Sequence, residues 1–382
     1  MRVLWVCGRM PPERGGLQRY IFQLLRHLGA LERVDVVTAC STDYVPNTVR
    51  RRAVLPGLRA ARSEDTFLST GESLRALVRQ ERYDVIHFAE AGLASWAPFA
   101  LDVNLRIVTV CGNDLTKPWQ DIPVHGRRLR IHEGLSLCSQ VVCISEHTAS
   151  LAGAWGLPQA VLATVPFRSR RISTIRTPRD VTGSSHMNAL TVARLAPRKG
   201  HEDILRAVER STQRLSWTIV GSGVNERRLS AKMMSSVASD RMTLQSDVPD
   251  RDLRRIYARS HVVVMTPREI RENDTIDSEG FGLVYMEAAQ AGRPSIASDS
   301  AGCREAVQDG RSGILVRAGD RGALTSVLDE LASDRRWRSA LGAAAATVFP
   351  ADVWAQLARD IALVYQRLAS RARLVTVGRV GS

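Results

Sequence analysis

Residues 279–287 read Glu-Gly-Phe-Gly-Leu-Val-Tyr-Met-Glu, so two carboxylates bracket a small-residue turn and a helical pattern. This pattern predicts a helix over residues 284–290 that stops before Gly292 and Pro294. Free backbone N–H groups at the start of a helix attract anions, and a carboxylate one to two turns along can accept hydrogen bonds from sugar hydroxyls. The segment therefore fits either a ligand site or a capped helix with two solvated glutamates.

On both sides of this segment, short Val- and Ile-rich runs alternate with helical patterns. The predicted strands cover residues 3–7, 34–38, 85–88, 107–110, 141–144 and 161–165, and then 190–193, 217–220, 262–265, 295–297 and 313–316. Such alternation predicts an α/β fold in which parallel sheets carry helices on both faces. Ligands of open α/β sheets bind at the carboxyl ends of the strands.

The chain of 382 residues is too long for one typical core. A stretch rich in proline, arginine, glycine and serine interrupts the alternation after residue 166 and predicts a linker over 171–187. We therefore expect two Rossmann-like, doubly wound domains facing across a cleft. The first covers 1–170 together with 352–382, whose amphipathic helix packs back on it, and the second covers 188–351.

Composition excludes several classes of protein. With 44% hydrophobic and 24% charged residues the chain is globular, and no apolar run approaches the roughly 18 residues that span a bilayer. The N-terminal apolar run is too short for a signal peptide, which predicts a cytoplasmic location. The six cysteines form no Cys-x-x-Cys pair, so we expect neither a zinc site nor a disulfide framework.

The net charge of +14 comes almost entirely from arginines, which cluster at 50–62 and 168–179. These clusters fit a solvated basic face, or contact with an acidic acceptor or an anionic membrane at its inner face. Nucleic acid is not expected, because aromatic residues make up only 5% of the chain and no known binding module is present.

Cations follow one strand of the second half. Arg194 and Lys199, one of only three lysines, come directly after the strand at 190–193. Cations between a strand and a helix suit a diphosphate, although a basic surface loop has the same composition. The glycines of 221–223 and of 15–16 stand in equivalent loops and fit either backbone approach to a phosphate or ordinary turns. No loop has the Gly-x-Gly-x-x-Gly or Walker spacing.

Taken in order, these segments resemble the retaining glycosyltransferases of the GT-B type, family 4 (glycosyl transferases group 1). The matching segments are 11–16, 84–87, 112–116, 144–148, 192–195 with 199–200, 221–223, 279–287, 305–307, and 309–310 with 313–316. The resemblance implies that Arg194 and Lys199 neutralise the diphosphate of a nucleotide sugar, while Glu279 holds hydroxyls of the donor sugar. Glu287 would accept hydrogen bonds from the ribose. Further implied donor contacts, mostly through the backbone, are Gly15, Gly16, Gly221, Val248, Phe281, Gly282 and Leu283.

The resemblance also implies a mechanism without metal or cofactor, in which cations and helix N-termini stabilise the departing nucleotide diphosphate. The acceptor would attack from the same face, with retention, and Glu279 would position rather than attack. Asp250 and Asp252 have the spacing of an Asp-x-Asp metal motif, but we interpret them as a helix start.

Two positions depart from the family pattern. Cys111 stands where the family often has a histidine, and a thiol is a poor hydrogen-bond donor to a sugar hydroxyl. This predicts altered donor preference, low activity or a substitute histidine such as His87 or His147, unless Cys111 is only a small residue in a tolerant loop. Residues 165–169 also lack the usual Pro-Asn-Gly-like turn. Candidate residues on the acceptor or donor-sugar side are Cys111, Asn113, Asp114 and His147.

The expected function is transfer of a hexose from a nucleotide diphosphate sugar to a hydroxyl of a glycan, a lipid-linked acceptor or a small natural product. Two alternatives stay open. One is a non-catalytic or chemically altered nucleotide-sugar-binding protein, motivated by Cys111. The other is a polyanion-binding protein, motivated by the net charge of +14.

Overall fold

The computed structural model describes residues 1–13, 15–39, 44–60, 63–116, 126–167, 186–272 and 275–380. Contacts within the chain divide it into two compact units, Met1–Phe167 with Asp352–Ser382, and Arg168–Ala351. The predicted linker at 171–187 lies outside the described residues except for its last two positions.

The first unit is built on a parallel sheet, which has seven strands among the residues described, in the order β3-β2-β1-β4-β5-β6-β7. Its strands are β1 (Arg2–Cys7), β2 (Arg33–Thr38), β3 (Arg50–Val54), β4 (Val85–Phe88), β5 (Leu105–Val110), β6 (Gln140–Cys143) and β7 (Leu162–Thr164). Its helices up to the end of this sheet are α1 (Gly16–Leu28), α2 (Gly57–Ala60), α3 (Glu64–Glu81), α4 (Asn113–Thr116), α5 (Arg127–Ser136) and α6 (Glu146–Ala154).

The second unit repeats this architecture with a parallel sheet in the order β10-β9-β8-β11-β14-β15, and adds an antiparallel hairpin, β12–β13. Its strands are β8 (Met187–Val192), β9 (Leu215–Val220), β10 (Met242–Gln245), β11 (Val262–Met265), β12 (Ile270–Glu272), β13 (Thr275–Asp277), β14 (Ser295–Ser298) and β15 (Gly313–Val316). Its helices are α7 (His201–Arg210), α8 (Glu226–Met234), α9 (Asp250–Arg259), α10 (Leu283–Gln290), α11 (Cys303–Ala306), α12 (Arg321–Ser333) and α13 (Arg335–Ala345).

The predicted α/β class and the two Rossmann-like sheets are confirmed. Every predicted strand is present, with ends shifted by up to three residues, because these strands are buried on both faces and read as continuous apolar runs. The central strand β1 shows this pattern, since Val3 to Cys7 are all buried. The helix start expected at Asp250 is also present, as the first residue of α9.

A final helix, α14 (Val353–Val380), packs against α1 of the first unit and carries Tyr365 into its core. The Tyr365 hydroxyl accepts a 3.1 Å hydrogen bond from Trp5 Nε1 and lies 2.6 Å from His87 Nδ1. His87 Nε2 lies 2.8 Å from Thr109 Oγ1, and the His87 ring stacks on Trp5. His87 is completely buried and both of its ring nitrogens face protein hydroxyls, which argues against the alternative in which it replaces the missing histidine of the sugar site.

Strand β3 was not predicted, because its sequence opens with the arginine triplet 50–52. In the structure, Arg50 and Arg52 of this triplet have acidic partners. One of these partners is Asp35 on the neighbouring strand β2, and Asp35 is 1% exposed. Arg50 Nε and Nη2 each donate to Asp35 at 3.1 Å, and Arg52 pairs with Glu81. Burial acts to raise the pKa of Asp35, but hydrogen bonds from Arg50, Tyr83 and Arg2 lower it. This part of the basic cluster is therefore a paired sheet edge, which argues against a polyanion surface here.

Candidate functional site

The cations predicted after the strand at 190–193 follow β8 in a short loop that leads into α7. Arg198 and Lys199 form its last turn, and both are buried, with 6% and 8% of their surface exposed. Arg194, at the start of the same loop, is exposed. Because buried cations are stable only when paired, the partners of Arg198 and Lys199 define the site.

Both partners come from the segment between β13 and α10. The Lys199 ammonium donates to Glu279 Oε2, and Arg198 Nη1 donates to the same oxygen at 2.8 Å. Arg198 Nε lies 2.8 Å from Asp277 Oδ1, at the end of β13. The structure thus brings together Lys199 and Glu279, two residues predicted independently.

Burial and neighbouring charges act in opposite directions on the pKa values in this cluster. Burial works to raise the pKa of Glu279, but Lys199 and Arg198 attract the carboxylate more strongly and lower its pKa to about 2. Burial lowers the pKa of Lys199, and Glu279 opposes this shift. For Arg198, burial acts to lower the pKa, but Glu279 and Asp277 together raise it. The cluster is therefore an array of charged, hydrogen-bonded groups.

The start of α10 is held rigidly beside Glu279. Gly282 has φ 88°, and an added Cβ there would lie 2.5 Å from the Tyr285 ring, so glycine is required. The Tyr285 hydroxyl donates to Met265 O at 2.6 Å, and the Gly302 N–H donates to Glu279 O at 3.0 Å. The helix begins at Leu283, one residue earlier than predicted, and its first turn presents backbone N–H groups next to the carboxylate.

Other predicted donor positions of the second unit lie in neighbouring loops. Gly221 has φ 154°, and a Cβ added there would lie 1.9 Å from Ala193 O. The backbone of Gly221 therefore packs closely against the loop after β8. Any approach of Gly221 to a ligand stays a prediction. Val248 is half-buried between β10 and α9. Glu287, half-buried in α10, is contacted by Tyr257 of α9.

The candidates of the first unit occupy the starts of three helices. Gly15 precedes α1 and Gly16 opens it, while His147 lies in the first turn of α6. Cys111 follows β5, and its backbone N–H donates to Asp114 at 3.0 Å. Asp114 also accepts from the Ala91 N–H at 2.9 Å, so its carboxylate caps two backbone donors.

The protonation state of Cys111 is set by burial. Burial raises the pKa of the Cys111 thiol well above its usual range, with the Asp114 carboxylate adding to the effect. The thiol is therefore protonated at neutral pH. It is the weak hydrogen-bond donor that the sequence predicts at this position. Asn113, the first residue of α4, is half-buried.

Three residues of the second unit were missed by the sequence reasoning: Arg198, Asp277 and Tyr257. Arg198 could have been found, because it precedes Lys199 in a loop already singled out for its cations. Asp277 and Tyr257 had no such signal, since one ends a short hairpin and the other is a buried residue of a surface helix.

Within the described residues, no helix has the length and apolarity needed to cross a membrane. In the same part of the chain, no group of three or more histidine, cysteine or acidic side chains is placed to hold a metal ion.

Two Rossmann-like units, one with buried cations and a carboxylate in the loops after its strands, are the arrangement expected of a GT-B glycosyltransferase. Residues 185–348 match the family model of glycosyl transferases group 1, and residues 14–166 match that of glycosyltransferase family 4. The chain belongs to this family, as the resemblance implied, and is a nucleotide-sugar glycosyltransferase.

Curated relatives match either most of the chain or about half of it. It is 27% identical over 363 residues to the GDP-mannose-dependent alpha-(1-6)-phosphatidylinositol monomannoside mannosyltransferase of Mycolicibacterium smegmatis, covering 90% of this chain and 92% of that protein. It is 31% identical over 195 residues to the D-inositol 3-phosphate glycosyltransferase of Frankia alni, covering 48% and 46% of the two chains.

Solved structures share the fold at low identity. HepE of Anabaena in complex with UDP and glucose superposes with a TM-score of 0.73 at 16% identity, covering 96% of this chain and all of that one. Sucrose-phosphate synthase of Thermosynechococcus elongatus gives 0.75 at 19% identity, covering 97% and 99%.

Proposed function

We propose that the protein is a retaining hexosyltransferase that moves a hexose from a nucleoside diphosphate sugar to a hydroxyl acceptor. The observation that carries this proposal is the convergence of Lys199 and Arg198 on Glu279 Oε2. A carboxylate held by two cations is a weak nucleophile, because its negative charge is already neutralised. This supports a positioning role for Glu279 and a same-face attack.

In the proposed reaction, the bond between the anomeric carbon and the β-phosphate oxygen breaks as the acceptor oxygen attacks from the same face. The acceptor proton passes to the departing phosphate oxygen. Arg194, Lys199 and the backbone N–H groups of Phe281, Gly282 and Leu283 stabilise the negative charge that develops on the diphosphate. Glu279 accepts hydrogen bonds from sugar hydroxyls, and Glu287 accepts them from the ribose. No metal ion is needed in this scheme.

The relatives favour one donor and one acceptor class. We propose GDP-mannose as the donor, since a relative that aligns over 90% of this chain is named for it. Two relatives are named for acceptors that contain inositol, so the proposed acceptor is a hydroxyl of an inositol-containing molecule. The acceptor is either a soluble inositol phosphate or a phosphatidylinositol mannoside at a membrane surface.

The test is a thermal-shift screen of the purified chain against GDP-mannose, UDP-glucose, ADP-glucose and dTDP-glucose, since a bound ligand raises apparent stability. Transfer is then measured with inositol phosphate and with vesicles that contain phosphatidylinositol mannoside. Glu279→Gln should reduce transfer about 100-fold or more, while Glu330→Gln on the exposed face of α12 should leave it unchanged.

Three results would each overturn part of this proposal. Binding without hydrolysis or transfer would identify a non-catalytic nucleotide-sugar-binding protein. An inverted product anomer would exclude retention. Transfer that disappears on metal removal and returns with a divalent cation would exclude the metal-free scheme.

A further inference from the structure

Arg198 touches three parts of the second unit at once. Its backbone oxygen accepts a 2.7 Å hydrogen bond from the Arg268 N–H, just before the hairpin β12–β13. Its guanidinium reaches Asp277, the last residue of that hairpin, and Glu279, two residues further on. The base of the hairpin is thus fixed to the loop after β8 through this one residue.

The two carboxylates use different nitrogens of the same planar group. Arg198 Nε lies 2.8 Å from Asp277 Oδ1, and Nη1 lies 2.8 Å from Glu279 Oε2. A guanidinium presents its N–H groups in a rigid fork, so the position of one carboxylate constrains the other. The side chain of Arg198 is only 7% exposed and that of Asp277 19%, which limits exchange with water.

The contacts also distinguish the two oxygens of Glu279. Among the described residues, the cations that reach this carboxylate, Lys199 and Arg198, both bind Oε2. Oε1 is thereby left as the oxygen that can accept hydrogen bonds from a ligand. Which way Oε1 faces depends on the torsion of the carboxylate, which Arg198 restrains.

We propose that Arg198, oriented by Asp277, is the positioning residue that sets the direction of Glu279 Oε1 and so determines how well the donor sugar is held. This inference rests on the proposed function, because it assigns Glu279 to the sugar. Arg198 and Asp277 act through Glu279 and need not touch the donor.

The experiment compares two ligands of the same protein, GDP and GDP-mannose, by isothermal titration. GDP lacks the sugar, so its affinity does not depend on Glu279 Oε1. Asp277→Asn and Asp277→Ala should leave the Kd of GDP within two-fold, while the Kd of GDP-mannose should rise about five- to twenty-fold, with a fall in kcat. Asn keeps the acceptor for Arg198 Nε, so Asp277→Asn should be the milder change.

Two further variants separate positioning from folding. Arg198→Lys keeps the charge but loses the fork, and should resemble Asp277→Ala. Arg271→Ala is the matched control, because Arg271 lies in the same hairpin but is 70% exposed and pairs with Glu269, and this variant should bind both ligands as the wild type does. The thermal midpoint of each variant shows whether it is folded. If Asp277→Ala does not fold, the comparison relies on Asp277→Asn, which retains the shape of the side chain.

The outcomes distinguish the inference from the proposed function. If the wild type binds neither ligand, the proposed function with this donor fails. If the wild type binds GDP-mannose and transfers mannose but Asp277→Asn, Asp277→Ala and Arg198→Lys match it, only the inference fails. Equal weakening of GDP and GDP-mannose would also overturn the inference, because it would show a general effect on the unit.

Discussion

The hydroxyl of Tyr257 donates a 2.7 Å hydrogen bond to Glu287 Oε2, which joins α9 to α10. Tyr257 is 5% exposed and Glu287 is half-buried, so their hydrogen bond is partly shielded from water. Hydrogen bonds to charged groups in such surroundings are stronger than those between neutral groups. Tyr257 therefore fixes the carboxylate that we propose binds the ribose.

Tyr257→Phe should weaken donor binding with little effect on the chemical step. The lost hydrogen bond to a charged acceptor is worth about 1.5 kcal/mol, so the KM for the donor should rise by up to roughly ten-fold. kcat should stay within about two-fold, since the ribose is remote from the reacting bond. Steady-state kinetics with varied GDP-mannose measures both constants.

Tyr83→Phe is the matched control for this prediction. It removes a comparable 2.9 Å hydrogen bond, from Tyr83 to Asp35, in the first unit. It should lower thermal stability without changing the donor KM. An equal rise in KM for the two variants would contradict the role of Tyr257.

Glu279→Gln should reduce transfer about 100-fold or more, because it removes the negative charge and replaces one of the two acceptor oxygens with an N–H donor. It should also destabilise the second unit at neutral pH, since Lys199 and Arg198 lose their shared carboxylate. The pKa of Glu279 is lowered from 4.5 to about 2 in the folded protein, so its stabilising effect is complete above pH 4.5 and is lost as pH falls towards 2. The difference in Tm between wild type and variant should shrink over this range, and a constant difference would show that the ion pairs contribute nothing.

His87 should make the first unit sensitive to acid. Burial lowers its pKa from 6.5 to about 3, so between these values the unfolded chain binds a proton that the folded chain does not. Its contribution to the free energy of unfolding therefore falls as pH is lowered through this window, by up to about 1.4 kcal/mol per pH unit. His87→Gln removes this group, so the Tm of the variant should depend less steeply on pH between 6.5 and 4. Parallel curves for the two proteins would contradict the prediction.

Asp203 should be an important ion-pair partner in the second unit. It lies in the first turn of α7, is 2% exposed, and binds Arg268 Nε at 2.7 Å and Arg321 Nε at 2.8 Å. Asp203→Ala should lower the free energy of unfolding by about 2 kcal/mol, because a buried acceptor is lost while both arginines can still reach water. Denaturant unfolding measures the effect.

The neighbouring Glu202 provides the control for Asp203. It pairs with Arg228 and Lys232, but its side chain is 43% exposed. Ion pairs of this kind contribute less than about 1 kcal/mol, so Glu202→Ala should be nearly neutral. A larger loss for Glu202→Ala than for Asp203→Ala would refute this ranking.

The buried strands could be predicted from the sequence because a parallel strand covered on both faces must be apolar throughout. Strand β3 could not, since its arginines are accommodated by Asp35, which is adjacent only after the sheet has formed. The hairpin β12–β13 was missed for a similar reason. It is short, and the exposed residues Arg271 and Glu272 give no apolar alternation.

The sequence predicted those site residues whose own loop has a distinctive composition or motif. Lys199 is one of only three lysines in the chain, and Glu279 opens the two-glutamate segment 279–287. Their contact follows from the adjacency of β8 and β11 in the sheet, which brings the loops after these strands together. Asp277 cannot be found this way, because nothing in its local sequence indicates a partner near residue 198.

The position of α14 has a consequence for biosynthesis. Trp5 and His87 leave the ribosome early, but Tyr365, which contacts both, is translated only after the whole of the second unit. Domains generally fold in the order in which they are made, yet here the nascent first unit lacks the hydroxyl that contacts these two rings. The first unit can therefore complete its core only after the chain of the second unit has been made, because its last helix is translated after that unit.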